Sequence, residues 1–134
     1  MISRLCRKTK NPFNIRYDKR NNWIGQIGQF QGFCKFSDEE YGLRAGVKLL
    51  NGYLENGFTS VGSILSRFAP PYENDTTSYI KFVYSRLVTY GFNPHYIVPR
   101  SDSFVCLCVA IAYYETQYVL TDVDVRNIMK KWSI

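Results

Sequence analysis

Ser37-Asp38-Glu39-Glu40 opens a stretch in which Leu43, Val47, Leu50 and Leu54 recur at three- and four-residue steps, and Gly57 closes it. Ser37 can accept from the third backbone N–H while Glu40 reaches back to the cap, and acids suit the positive end of a helix dipole. The pattern predicts a helix from about Asp38 to Asn56, stopped by a left-handed Gly57. Such a helix carries one apolar stripe, so the rest of the chain must supply a surface to cover it.

The remaining sequence supplies mostly more helices. Thr59 or Ser60 can cap a short one through Val61, Ile64, Leu65 and Phe68, which Pro70 and Pro71 must end. Asn74-Asp75-Thr76 starts another, with Tyr79, Ile80, Val83 and Leu87 on one face and a stop near Gly91. Ser101 or Asp102 caps a fourth, with Phe104, Leu107, Cys108 and Ile111, and Thr121-x-x-Asp124 opens a fifth, with Val125, Ile128 and Trp132. Trp23 to Ile27 and Phe33 to Phe36 flank a glycine-containing turn and read as a β-hairpin. The expectation is a mainly α (α+β) single domain over residues 1–134, with a basic segment at 1–10, a hairpin at 23–36 and a helical body at 38–132.

Composition excludes several classes. With 46% hydrophobic and 21% charged residues the chain has ordinary globular values, against the low hydrophobicity and high net charge of disorder. The uncharged run Ser103–Tyr114 falls short of the roughly 20 residues a membrane-spanning helix needs. Arg4, Arg7, Lys8 and Lys10 are not followed by an apolar segment, so no secretory signal is expected. Cys6, Cys34, Cys106 and Cys108 are too few and too scattered for a disulfide scaffold, and no C-x-x-C pair suggests zinc. His95 is the only histidine, which leaves little for a His-based metal site or a His-activated nucleophile. Carboxylates remain as the candidate catalytic groups, and no metal or cofactor is implied.

The net charge of +6 belongs to one segment: residues 1–20 hold seven lysines and arginines against Asp18 alone. Nucleic acid, anionic lipid and anionic wall polymers would all answer to it. Eleven tyrosines, nine phenylalanines and two tryptophans exceed what a small core requires. Tyr17 and Trp23 sit among Asn11, Asn14, Asn21, Asn22, Gln26 and Gln29. Aromatic faces stack on sugar rings or bases, and amides offer donors and acceptors to sugar hydroxyls and N-acetyl groups.

Glu115 stands apart from the other acids. Ile111, Cys108, Leu107 and Phe104 precede it at helical spacing, so it projects from an apolar face. Burial and the negative end of the helix dipole both raise a carboxyl pKa, which is what a general acid requires. Glu39, Glu40 and Asp75 are explained by capping and Glu55 as an exposed helix residue, while Asp18 and Glu73 lie in loops as candidate partners.

Asn11-Pro12-Phe13-Asn14-Ile15-Arg16, Trp23-x-Gly25-Gln26, Gly32-Phe33-Cys34-Lys35-Phe36, Glu40-Tyr41-Gly42-Leu43-Arg44-Ala45 and Arg67-Phe68-Ala69-Pro70-Pro71-x-Glu73-Asn74-Asp75-Thr76-x-x-Tyr79-Ile80 follow one another in order. Over residues 11–87 this series resembles a family of small phage and prophage proteins, often labelled virion structural proteins and in part taken to be lysozyme-like. The first three of these segments, Asn-Pro-x-Asn-Ile followed by Trp-x-Gly and an aromatic-rich strand, are similar to the substrate groove of wall-degrading glucosaminidases and lytic transglycosylases, and Asp75-Thr76-x-x-Tyr79-Ile80-x-x-Val83 resembles their closing helix. In those enzymes the catalytic Glu lies on a helix before these motifs. Here only ten residues precede Asn11 and none is acidic, so the resemblance implies a permuted order in which the helix ending at Glu115 lies beside the groove.

The resemblance implies a lysozyme-like protein that cleaves the glycan strand of peptidoglycan with Glu115 as acid and Asn11, Asn14, Tyr17, Trp23 and Tyr79 on the substrate. The alternative is a non-catalytic virion protein that binds glycan or another capsid component. The expected partners are peptidoglycan strands and other virion proteins, with nucleic acid a third class. The protein would be made in the host cytoplasm and then reside in the virion or at the host wall.

Overall fold

The computed structural model describes residues 1–134 and is mostly helical, with six helices and one two-stranded antiparallel hairpin. Glu39–Glu55 forms α2, preceded by a short α1 over Arg4–Thr9. Val61–Phe68, Thr76–Thr89, Asp102–Thr116 and Asp122–Trp132 form α3 to α6. The sequence leads to five of these and misses α1, which lies in the segment read as basic. Ser3 caps α1 by accepting from the Cys6 N–H, and Cys6 and Thr9 are buried beneath it.

Cap chemistry fixes the starts. Ser60 and Thr121 form reciprocal capping boxes with Ser63 and Asp124, Asp75 caps α4, and Ser101 caps α5. For α2 the cap is Asp38, whose side chain accepts from the Glu40 N–H, and not Ser37. Glu40 therefore does not reach back to a Ser37 cap; its carboxylate pairs with Lys131 at 2.9 Å and ties α2 to α6.

The hairpin runs over Gln26–Phe30 (β1) and Phe33–Phe36 (β2), shorter than the 23–36 expected. Gln31 and Gly32 both have positive φ, the geometry of a two-residue turn whose twist matches its strands. Trp23–Gly25 is a turn and not strand, because the Gln26 N–H bonds to the Trp23 carbonyl and Gly25 has φ +79°. The register slips between Gln26 and Gly28, so Ile27 is left unpaired in a bulge and Gly28 pairs with Lys35 outside the turn.

Burial gathers into one cluster of 27 residues. α5 lies at its centre, with Phe104, Leu107, Cys108, Ile111 and Ala112 inaccessible, and packs against α4 and α6. α2 covers its Leu43, Val47, Leu50 and Leu54 stripe against α6, α5 and α3, as the periodicity requires. Gly42 and Gly46, one turn apart on α2, leave room for the 10–13 segment: a Cβ on Gly42 would meet the Lys10 carbonyl, and one on Gly46 the Phe13 ring. No helix is long and apolar enough to cross a membrane.

Candidate functional site

The 10–16 segment that lies on α2 also reaches the end of α5. Thr116 donates to the Pro12 carbonyl at 2.7 Å, and the Ser3 N–H to the Thr116 carbonyl at 2.9 Å. Between these clasps Asn14 adopts a left-handed conformation, φ +51°, which asparagine tolerates better than most residues. That turn aims its amide at Glu115, donating at 3.2 Å to both Oε1 and the backbone carbonyl.

Glu115 therefore sits one residue before the end of α5, partly buried, at the floor of a groove of about 590 Å³. One wall is the 14–23 loop with Tyr17 and Trp23; the other is formed by Tyr53, Arg67 and the α3–α4 connection carrying Tyr72 and Glu73. Arg16 and Glu73 pair at 3.0 Å and so link the two walls, while the Arg16 guanidinium lies over Phe33 at 5.0 Å. Asp18 is bound in two places by Arg20, which holds its carboxyl down at about 2. Neither Asp18 nor Glu73 is a free carboxylate.

Burial pushes the Glu115 carboxyl above the usual glutamate range; the nearby Tyr79 hydroxyl, the Asn14 hydrogen bond and the charge of Arg16 offset part of the rise. The Tyr79 hydroxyl lies near the carboxyl without a well-aligned hydrogen bond, and its own titration is raised by burial and then by the Glu115 charge. Behind it the Tyr79 ring stacks on Tyr114 at 3.9 Å. The folded state thus holds the Glu115 proton more tightly than the unfolded chain. The stability contributed by Glu115 is expected to be fully present below its unfolded pKa, to be lost as pH rises from there through the raised folded pKa, and to stay absent above it. This is opposite in sense to the contributions of Asp18 and Asp75, whose lowered carboxyl pKa values stabilise above the unfolded range. Urea unfolding across that range checks this: the stability of wild type relative to Glu115→Gln should fall as pH rises, and a difference that does not change with pH would refute it.

Of the residues singled out from sequence, Glu115, Asn14, Tyr17 and Trp23 line this groove together. Asn11 and Tyr79 do not. Asn11 is fully buried; its amide donates to the Ile15 and Cys34 carbonyls at 2.9 and 3.0 Å and its carbonyl accepts from the Ile15 N–H at 3.0 Å. It shapes the loop and is closed to a ligand. Tyr79 is 1% exposed and stands behind Glu115, so it can act on a ligand only through that carboxyl. Sequence reasoning missed Arg16, Tyr53, Arg67 and Tyr72 as lining residues. Leu49 and Tyr53, four apart beside the buried Leu50 and Leu54, carry the one readable signal for the far wall.

Two other depressions lack such a centre. One of about 720 Å³ between α2 and α6 contains the Lys131–Glu40 pair and a Tyr118 hydroxyl donating to Glu39. The other, about 420 Å³, has Val105, Val109 and Leu120 with the Arg126–Asp102 pair at its edge.

No family model matches the sequence. Over 81 residues the chain is 36% identical to Protein P5 of Pseudoalteromonas phage PM2, a match covering 57% of this chain and 51% of P5. The chain is similar to a phage protein. It spans about half the length of that relative.

Proposed function

We propose that this chain is a phage virion component that holds a glycan strand of bacterial peptidoglycan in the Glu115 groove. The observation that carries the reading is the groove's lining, in which Tyr17 and Trp23 stand beside the amides of Asn14, Asn21 and Asn74. Flat aromatic faces suit the apolar C–H faces of pyranose rings, and amides both give and accept hydrogen bonds with hydroxyl and N-acetyl groups. Similarity to a protein of phage PM2 supports the phage setting. Other virion proteins would then be its second class of partner, and the virion or the host wall its place of action.

A second reading, cleavage of the bound strand, is favoured by Glu115 itself. It is the groove carboxyl whose pKa is raised, and Asn14 orients it. With Asp18 and Glu73 tied to arginines, one acid is available, which suits a lytic-transglycosylase-like route better than two-carboxylate hydrolysis. Glu115 would give its proton to the leaving glycosidic oxygen as the C1–O bond breaks. The muramyl C6 hydroxyl would then close on C1 and return a proton to the carboxylate.

Incubation of purified peptidoglycan with wild type, Trp23→Ala and Glu115→Gln tests both readings by co-sedimentation and by mass spectrometry of released products. Wild type and Glu115→Gln should pellet with the wall, and Trp23→Ala should pellet less. Anhydro-muropeptides from wild type and not from Glu115→Gln would establish cleavage. Pelleting without products leaves the binder, and failure of wild type to pellet with no products sinks both.

A further inference from the structure

We propose a second ligand site beside the groove: a recess of about 270 Å³ on α2 that takes an oxyanion of the phosphate or carboxylate class. It stands on its own geometry and does not depend on the glycan reading.

Arg44 is the reason. It is 7% exposed, forms no ion pair, and its Nε is buried without a hydrogen-bond partner. A guanidinium does not shed its proton in a protein, so the charge stays, and a buried charge without a counterion is costly. The Trp132 ring, 4.9 Å from the guanidinium carbon, compensates in part through its negative face. It supplies no hydrogen-bond acceptor in the plane of the fork.

The lining adds cations and donors, and the nearby acid, Asp18, is already taken by Arg20. Lys48 lies one helical turn beyond Arg44 on the same face, exposed and unpaired, although like charges at that spacing repel. Arg20 closes the recess from the loop, with one edge held by Asp18 and the rest of a largely exposed guanidinium free. Asn21 and Asn22 line it, and so does Trp23, whose buried indole N–H has no acceptor. Arg44 and Lys48, both without an ion-pair partner, form a field that an oxyanion neutralises, with the outer edge of the Asp18-paired Arg20 as a further donor, and a planar guanidinium matches it with two parallel bonds. Arg20, Asn21 and Trp23 also line the Glu115 groove. A polymer lying in the groove can therefore present an acidic substituent to the recess.

Thermal unfolding of the full chain in chloride, phosphate and acetate at matched ionic strength tests the site. A ligand that binds the folded state alone raises the midpoint with its concentration. Phosphate or acetate should raise the wild-type midpoint above chloride. A rise with acetate points to a carboxylate ligand, and a rise with phosphate alone to a phosphate ester. Lys48→Gln, an exposed change, should weaken the apparent anion affinity about ten-fold, the scale of one charge-assisted hydrogen bond. Lys81→Gln, the same charge change elsewhere on the surface, should leave it unaltered. Arg44→Met should abolish the response and raise the midpoint in chloride, because it removes a buried charge that has no counterion and is only partly compensated by Trp132. No anion-specific rise in wild type, or a rise that survives intact in Lys48→Gln, overturns the proposal.

Discussion

Asn11→Ala is expected to destabilise the fold by about 3 kcal/mol, read as a lower urea midpoint with an unchanged slope. The fully buried Asn11 side chain is the acceptor of the Ile15 N–H, and without it that donor is left unsatisfied, at about 1–3 kcal/mol. The Ile15 carbonyl keeps the Cys34 N–H as a partner, so losing the Asn11 amide there and at the Cys34 carbonyl costs less, about 1 kcal/mol each. The neighbouring Phe13 and Cys34 are themselves almost inaccessible, so water does not easily take over these bonds. Stability within about 0.5 kcal/mol of wild type would show that the loop repacks without its amide.

Gly46→Val is the second large effect, about 2–3 kcal/mol, and its sign has to be worked out because two terms oppose. Glycine within a helix gives away up to about 1 kcal/mol relative to alanine, so a side chain here should help, if less so for a β-branched one. The new Cβ would, however, fall within the Phe13 ring, and Phe13 has no exposed surface into which to turn. Overpacking therefore wins. Because Asn14 follows Phe13 directly, displacement of the ring should also break the Asn14–Glu115 bond. The ultraviolet circular dichroism of the helices should persist while the midpoint drops, and a midpoint equal to or above wild type would refute the clash.

These two positions show why part of the molecule was readable and part was not. The α2 stripe at Leu43, Val47, Leu50 and Leu54 is periodic, and periodicity records which face meets the core. The same logic placed Glu115 at the C-terminal end of an apolar helix face, where it is partly buried. Asn11 and Asn14 are alike in sequence, yet one serves the backbone and the other reaches the groove; the difference lies in a left-handed turn that no residue pattern announces. α1 escaped because six residues carry too few turns to display a period, and its cap is a lone Ser3. Arg44 sits beside the buried stripe, and only the three-dimensional arrangement reveals that no acid meets it.

The bond from Asn14 to Glu115 joins residues 101 apart, and the one from Thr116 to Pro12 joins residues 104 apart. Contacts of such span reward the chain only after most of its loop-closure entropy has been spent, so they belong to the last stage of folding. A growing chain on the ribosome can form α2, α3 and the hairpin early, but the groove has no floor until α5 has emerged and returned to the first residues. The surface is therefore completed in one late folding step, once α5 has emerged, with no partly assembled form beforehand.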